Sequence, residues 1–149
     1  APRHHEKLYL LKVDAPFDRV GIDIVGPFKH ITENRNHYII VAAEYLTKWS
    51  ETCAIPDITA FTVAHFIYED LIYYALCKIM TTHHHLATIY HPQTNGLTER
   101  FNKTLCSMLT KLVDDYKSTW DTLLPLALFA YHTLQNHTTK LDPFYLIYE

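Results

Sequence analysis

The sequence predicts an α/β domain in which an antiparallel three-strand meander precedes the helices. Three observations carry that expectation. Short β-branched runs separated by turn residues fill the chain up to Ile55. Near Thr59 the apolar period changes from alternation to helical spacing. A length of 149 residues, 48% hydrophobic and 19% charged, suffices for one buried core in one domain.

Residues 1–16 are polar and irregular, with Pro2 and Pro16 near their ends, and read as a lead-in segment before a domain over 17–149. Arg19-Val20-Gly21-Ile22-Asp23-Ile24-Val25 is a β-branched strand, ended by the turn pair Gly26-Pro27. The polar loop Thr32-Glu33-Asn34-Arg35-Asn36 leads to a second strand over 38–45, and Leu46-Thr47-Lys48 turns the chain into a third over 49–55. Connections this short favour antiparallel pairing. Val63, Ile67, Leu71 and Tyr74 then recur at helical spacing behind Thr59, a suitable N-cap. Residues 84–90 read as a short strand before the loop His91-Pro92-Gln93-Thr94-Asn95-Gly96. Phe101, Leu105, Met108, Leu109 and Leu112 stripe one face of a long helix. A further helix runs from about Trp120 to His132 with Pro125 in its first turns, and Asp142-Pro143 opens a last helical turn.

A net charge of −3 and an isoelectric point near 6.4 exclude a wholly basic nucleic-acid module, though not a local basic face. The three cysteines, Cys53, Cys77 and Cys106, are odd in number and widely spaced, which points to a reducing compartment, nucleus or cytoplasm. The apolar run over 123–131 is interrupted by Pro125 and falls far below the ~20 residues of a membrane helix. With no signal-peptide pattern and no initiating Met, the chain reads as a segment of a longer product.

Two carboxylates stand out. Asp23 lies in the middle of an apolar strand, where an ionised group is costly to bury unless paired or metal-bound. Strand alternation puts Gly21, Asp23 and Val25 on one face and Val20, Ile22 and Ile24 on the other. The competing reading is an edge-strand Asp facing water. Glu99 opens the long helix away from Phe101, Leu105 and Met108, with Asn102, Lys103 and Cys106 on its side. A first-turn Glu placed favourably on the helix dipole is the competing reading there. His83-His84-His85 invites a zinc reading, but consecutive strand residues point to alternate faces and no cysteine stands at finger spacing; His4 and His5 are similarly weak.

The run Gly21-Ile22-Asp23-Ile24-Val25-Gly26-Pro27, followed by Tyr38-Ile39-Ile40-Val41-Ala42-Ala43-Glu44-Tyr45-Leu46-Thr47-Lys48-Trp49, resembles the opening of a retroviral-type integrase catalytic core, in the variant of Gypsy-type long-terminal-repeat retrotransposons. Tyr90-His91-Pro92-Gln93-Thr94-Asn95-Gly96-Leu97-Thr98-Glu99-Arg100-Phe101-Asn102-Lys103-Thr104-Leu105 is similar to that family's "YHPQTNG..ERFNK.L" signature at nearly every position. Trp120, Phe129-Ala130-Tyr131, His137 and Pro143-Phe144 continue the likeness. The resemblance implies an RNase H-like fold and DNA integration by metal-dependent phosphodiester transfer. In this family Asp, Asp and Glu hold two Mg²⁺ or Mn²⁺ ions, one activating a water or 3′-hydroxyl and the other stabilising the leaving oxygen. It implies that Asp23 and Glu99 are catalytic and metal-ligating. It also implies that Asn95, Asn102 and Lys103 lie against a DNA end and that Gly96 keeps the loop mobile.

The second Asp of the family's pattern, carried in an "SD.G..F" motif, has no counterpart. Asp57, Glu69 and Asp70 are the only acidic residues between Glu51 and Glu99, and none follows a replacement strand. The resemblance thus implies an internal deletion of roughly twenty residues around Ala75, taking with it the strand that bears the second Asp. Either the 84–90 strand closes up beside the first, or both leave unpaired edges. The resulting expectation is a truncated, catalytically inactive integrase core. Its expected partners are DNA, at element ends and target, and a second copy of the chain. The alternative is a non-enzymatic DNA-binding or assembly module using Arg100, Lys103 and Lys111. A His-rich metal protein is a third reading. If the carry-over holds, the Asp23 and Glu99 carboxylates approach to on the order of 4–8 Å with no third acid beside them.

Overall fold

The computed structural model describes residues 12–72, 76, 95–113 and 117–148. The expected strand over 84–90, the 91–94 part of the loop, the three consecutive histidines, His4, His5, Cys77 and the neighbourhood of Ala75 lie outside these residues.

Three strands, β1 (Val20–Val25), β2 (Tyr38–Glu44) and β3 (Ser50–Ile55), form an antiparallel sheet in the order β1-β2-β3. Asp23 stands opposite Val41, and Ile40 opposite both Ile24 and Cys53. β2 is central and covered on both faces, so Ile39, Ile40, Val41, Ala42 and Ala43 are each at most 1% exposed. That explains why this strand reads as a continuous apolar run without alternation.

The Thr59 side chain accepts the Thr62 N–H and caps α1 (Ala60–Phe66), as its sequence position implies. The single helix expected through Tyr74 instead widens into a π-helical segment over Ile67–Ile72. Phe66, Ile67 and Leu71 still reach the sheet, packing with Val20, Ile24, Ile40, Ala42 and Ile55.

The long helix, α2 (Asn95–Leu112), and α3 (Trp120–Thr133) cover the opposite face. Phe101, Leu105, Leu109, Trp120, Leu124 and Ala127 bury against Ile39 and Val41. Trp120 also packs on Phe28, ring centroids 4.8 Å apart and tilted by 47°, and donates its indole N–H to the His30 carbonyl at 2.9 Å, which fixes the start of α3 against the β1–β2 loop. A short helix, α4 (Pro143–Tyr148), packs on α3. Gly96, expected to free the preceding loop, lies in the first turn of α2 with open space where a Cβ would stand. Its neighbours are already helical.

Candidate nucleic-acid and metal site

Strand alternation puts Asp23 on the face that α2 covers, and α2 approaches that face closely. Gly21 makes the approach possible: a Cβ there would stand 3.1 Å from Thr98 Cγ2 and 3.2 Å from Tyr45 Cε2. Thr98 is completely buried at this crossing. One turn further along α2, the Asn102 amide Nδ2 donates to Asp23 Oδ2 at 2.8 Å. The half-buried carboxylate in the apolar strand is thereby partnered, which replaces the reading of an edge residue facing only water. Asn102 Oδ1 is buried and accepts no hydrogen bond from the described residues.

Glu99 precedes Asn102 by three residues, so helical geometry puts it on the same side of α2, where it is exposed. Lys103 is exposed beside it. Asn95 begins α2, and its side chain is outside the description. Cys106, four residues beyond Asn102, has its thiol pushed upward by burial and so disfavours the reactive thiolate.

The other acids of the chain's middle do not join this group. Asp57 is exposed just before the Thr59 cap, and its carboxylate accepts from Thr62 and Thr59, which holds its pKa below the usual carboxylate range. Asp70 lies on the π-helical segment and acts on Glu51 and Cys53, whose β3 positions pair with Ala42 and Ile40 on the sheet face opposite Asp23. Burial raises Glu51 and Asp70 above the usual carboxylate range. Among the described residues no group of three His, Cys, Asp or Glu side chains could hold a metal ion.

Three features escaped the sequence reading. Glu44, 1% exposed at the end of β2, accepts the Leu46 and Thr47 N–H groups at 2.7 Å each and the Thr47 hydroxyl at 2.5 Å, building the β2–β3 turn around a buried carboxylate. His132 stacks on Trp49 at 3.7 Å, and its Nε2 lies 2.8 Å from the Ser50 carbonyl. Burial lowers its pKa to about 4. The third is a cavity of about 280 Å³ between that turn, α2 and the α3–α4 connection. The histidine and the cavity depend on contacts distant in sequence, and the Glu44 bonds on the shape of a turn, none of which a local pattern announces.

No family model matches the chain. It is 27% identical over 169 aligned positions to Gypsy retrotransposon integrase-like protein 1 of Bos taurus, covering 99% of this chain and 32% of that protein. It is 28% identical over 153 positions to the retrovirus-related Pol polyprotein from transposon 412 of Drosophila melanogaster, covering 89% of this chain and 12% of that protein. The chain thus spans a third or less of these relatives. The catalytic core domain of BIV integrase superposes with a TM-score of 0.53 at 21% identity, covering 86% of this chain and 91% of that one. A chain of the simian T-cell lymphotropic virus intasome, solved in complex with PP2A regulatory subunit B56 gamma, superposes with a TM-score of 0.61 at 21% identity, covering 99% and 59%. The chain is similar in sequence to Gypsy retrotransposon integrase-like proteins and retrovirus-type Pol polyproteins, and it has the fold of retroviral integrase catalytic cores.

Proposed function

We propose that residues 17–149 are a truncated integrase core that binds DNA and does not join DNA ends. The observation that carries this reading is the hydrogen bond from Asn102 on α2 to Asp23 on β1, with Glu99 three residues before Asn102 on the same helix and no group of three metal-ligating side chains among the described residues. Asp23 and Glu99 are the two surviving members of the triad, and Asn95, Asn102 and Lys103 are the side chains offered to DNA.

We infer a deletion as the cause of the missing member, and the alignment lengths support it. The alignment to the bovine relative runs over 169 positions yet takes up 99% of a chain of 149 residues, so about twenty of those positions are ones this chain lacks. The Drosophila alignment repeats the pattern, with 153 positions for 89% of the chain. Asp57 and Asp70 are engaged elsewhere, which supports the loss being uncompensated. Mg²⁺ or Mn²⁺ is the cofactor that the relatives suggest. With two carboxylates, one of them already hydrogen-bonded by Asn102, its binding is weakened here.

The test incubates the purified chain with a labelled DNA end and Mn²⁺. No strand transfer is expected, while filter binding retains DNA at low salt and loses it as salt rises. Joining that disappears in the Asp23→Asn variant would overturn the inactivity, and no retention even at low salt would overturn DNA binding.

A further inference from the structure

We propose that the cavity bounded by the β2–β3 turn, α2 and the α3–α4 connection is an oxyanion site that takes a phosphoryl group between Lys48 and Arg100. The two cations and His137 line a space of about 280 Å³, and no Asp or Glu is among the described residues that line it. In a chain of net charge −3 this is a local excess of positive charge. Neither Lys48 nor Arg100 forms an ion pair among the described residues.

The walls are built rather than incidental. Lys48 occupies the left-handed region at φ 67°, and its ammonium donates to the Tyr45 carbonyl, so the turn itself aims the charge. The nearby Glu44 carboxylate attracts Lys48 but has both oxygens occupied by Leu46 and Thr47 donors. Burial and the Arg100 charge both push the Lys48 ammonium below its ordinary range, an arrangement that a bound anion would relieve. The opposite wall is pinned by the Thr138 N–H donating to Asn136 Oδ1 and by the Lys140 N–H donating to the Asn136 carbonyl. A point charge facing a guanidinium fork suits a tetrahedral oxyanion. Arg100 precedes Asn102 by two residues, about 200° around the helix, so this site is on the other flank of α2 from Asp23.

The phosphoryl group has two sources, a phosphodiester of the DNA backbone or free phosphate, and only the first rests on the DNA-binding reading above. Inorganic phosphate and a short DNA duplex are titrated separately into the wild-type chain and into the Arg100→Gln, Arg100→Lys and Lys48→Asn variants. Arg100 is exposed, and Asn tolerates the left-handed backbone at position 48, so the fold survives these changes; circular dichroism checks it. The expected result is phosphate binding weakened at least about tenfold by Arg100→Gln and partly restored in Arg100→Lys. If DNA supplies the group, Arg100→Gln also lowers the slope of log affinity against log salt by about one, and phosphate competes with the duplex. Phosphate binding that depends on Arg100, with duplex binding absent or unchanged, supports the free anion as ligand; absence of duplex binding then counts against the DNA reading alone. Binding of both probes that is absent, or equal in wild type and Arg100→Gln, overturns the proposal.

Discussion

The link between Asp23 and Asn102 supports a quantitative prediction. It joins a neutral amide to a carboxylate at 2.8 Å, and both residues are half-buried. A hydrogen bond to a charged group contributes about 1.5–3 kcal/mol, and partial exposure places this one near the lower end. Asn102→Ala alone understates it, because the same substitution removes the buried, unpaired Oδ1, whose relief offsets about 1 kcal/mol. A double-mutant cycle separates the two. Asp23→Ala, Asn102→Ala and the double variant, compared by urea unfolding, are expected to give a coupling energy of about 1.5 kcal/mol. For a chain of 149 residues that corresponds to roughly 3–6 °C in Tm. Alanine is used at position 23 because Asn there would accept the same amide through its carbonyl and hide the loss. A coupling below about 0.5 kcal/mol would refute the argument that α2 is anchored to β1 through this contact.

Three further outcomes follow from the packing. His132, with its pKa lowered to about 4 by burial, binds its proton less readily in the folded than in the unfolded chain. Its contribution is therefore complete above pH ~6.5 and is lost as pH falls toward 4, by about 2–3 kcal/mol. Glu51 and Asp70, raised by burial, act with the opposite sign, so the wild-type minus His132→Gln difference in urea midpoint isolates the histidine; equal pH profiles would contradict it. Glu44→Ala strips three turn hydrogen bonds in a buried place and is expected to cost about 3 kcal/mol or more in the same unfolding assay, with a loss under about 1 kcal/mol counting against the turn's dependence on it. Gly21→Val crowds Thr98 and Tyr45 and is expected to cost about 1–3 kcal/mol and to shrink the coupling between Asp23 and Asn102; an unchanged coupling would mean that α2 can shift without losing the contact.

Legibility from sequence followed the range of the interaction. The alternation around Asp23, the Thr59 cap and the stripe Phe101, Leu105, Leu109 are local patterns, and the structure has the elements they predict. The π-helical widening after Phe66 leaves Ile67 and Leu71 on the core side, so the apolar spacing cannot distinguish it from a continued α-helix. Glu44 read as one more residue of an apolar strand, because its donors come from a turn whose shape it creates. For the site, the motif singled out Asp23 and Asn102, but their direct hydrogen bond spans 79 positions and is visible only in three dimensions.

The same register keeps Asp70 apart from Asp23. Asp23 faces the α2 side of the sheet together with its partner Val41, while Ile40 and Ala42 face α1 and its π-helical continuation. Asp70 is carried on that second layer and acts on Glu51 and Cys53, with β2 fully buried between it and Asp23. Sliding β1 by one residue would carry Asp23 to the α1 face, but it would also send Val25 away from Phe101 and Leu105 and expose Gly21's close approach to Thr98 as a void. The sheet's two-sided core thus fixes Asp23 to the α2 face and the π-segment acids to the other.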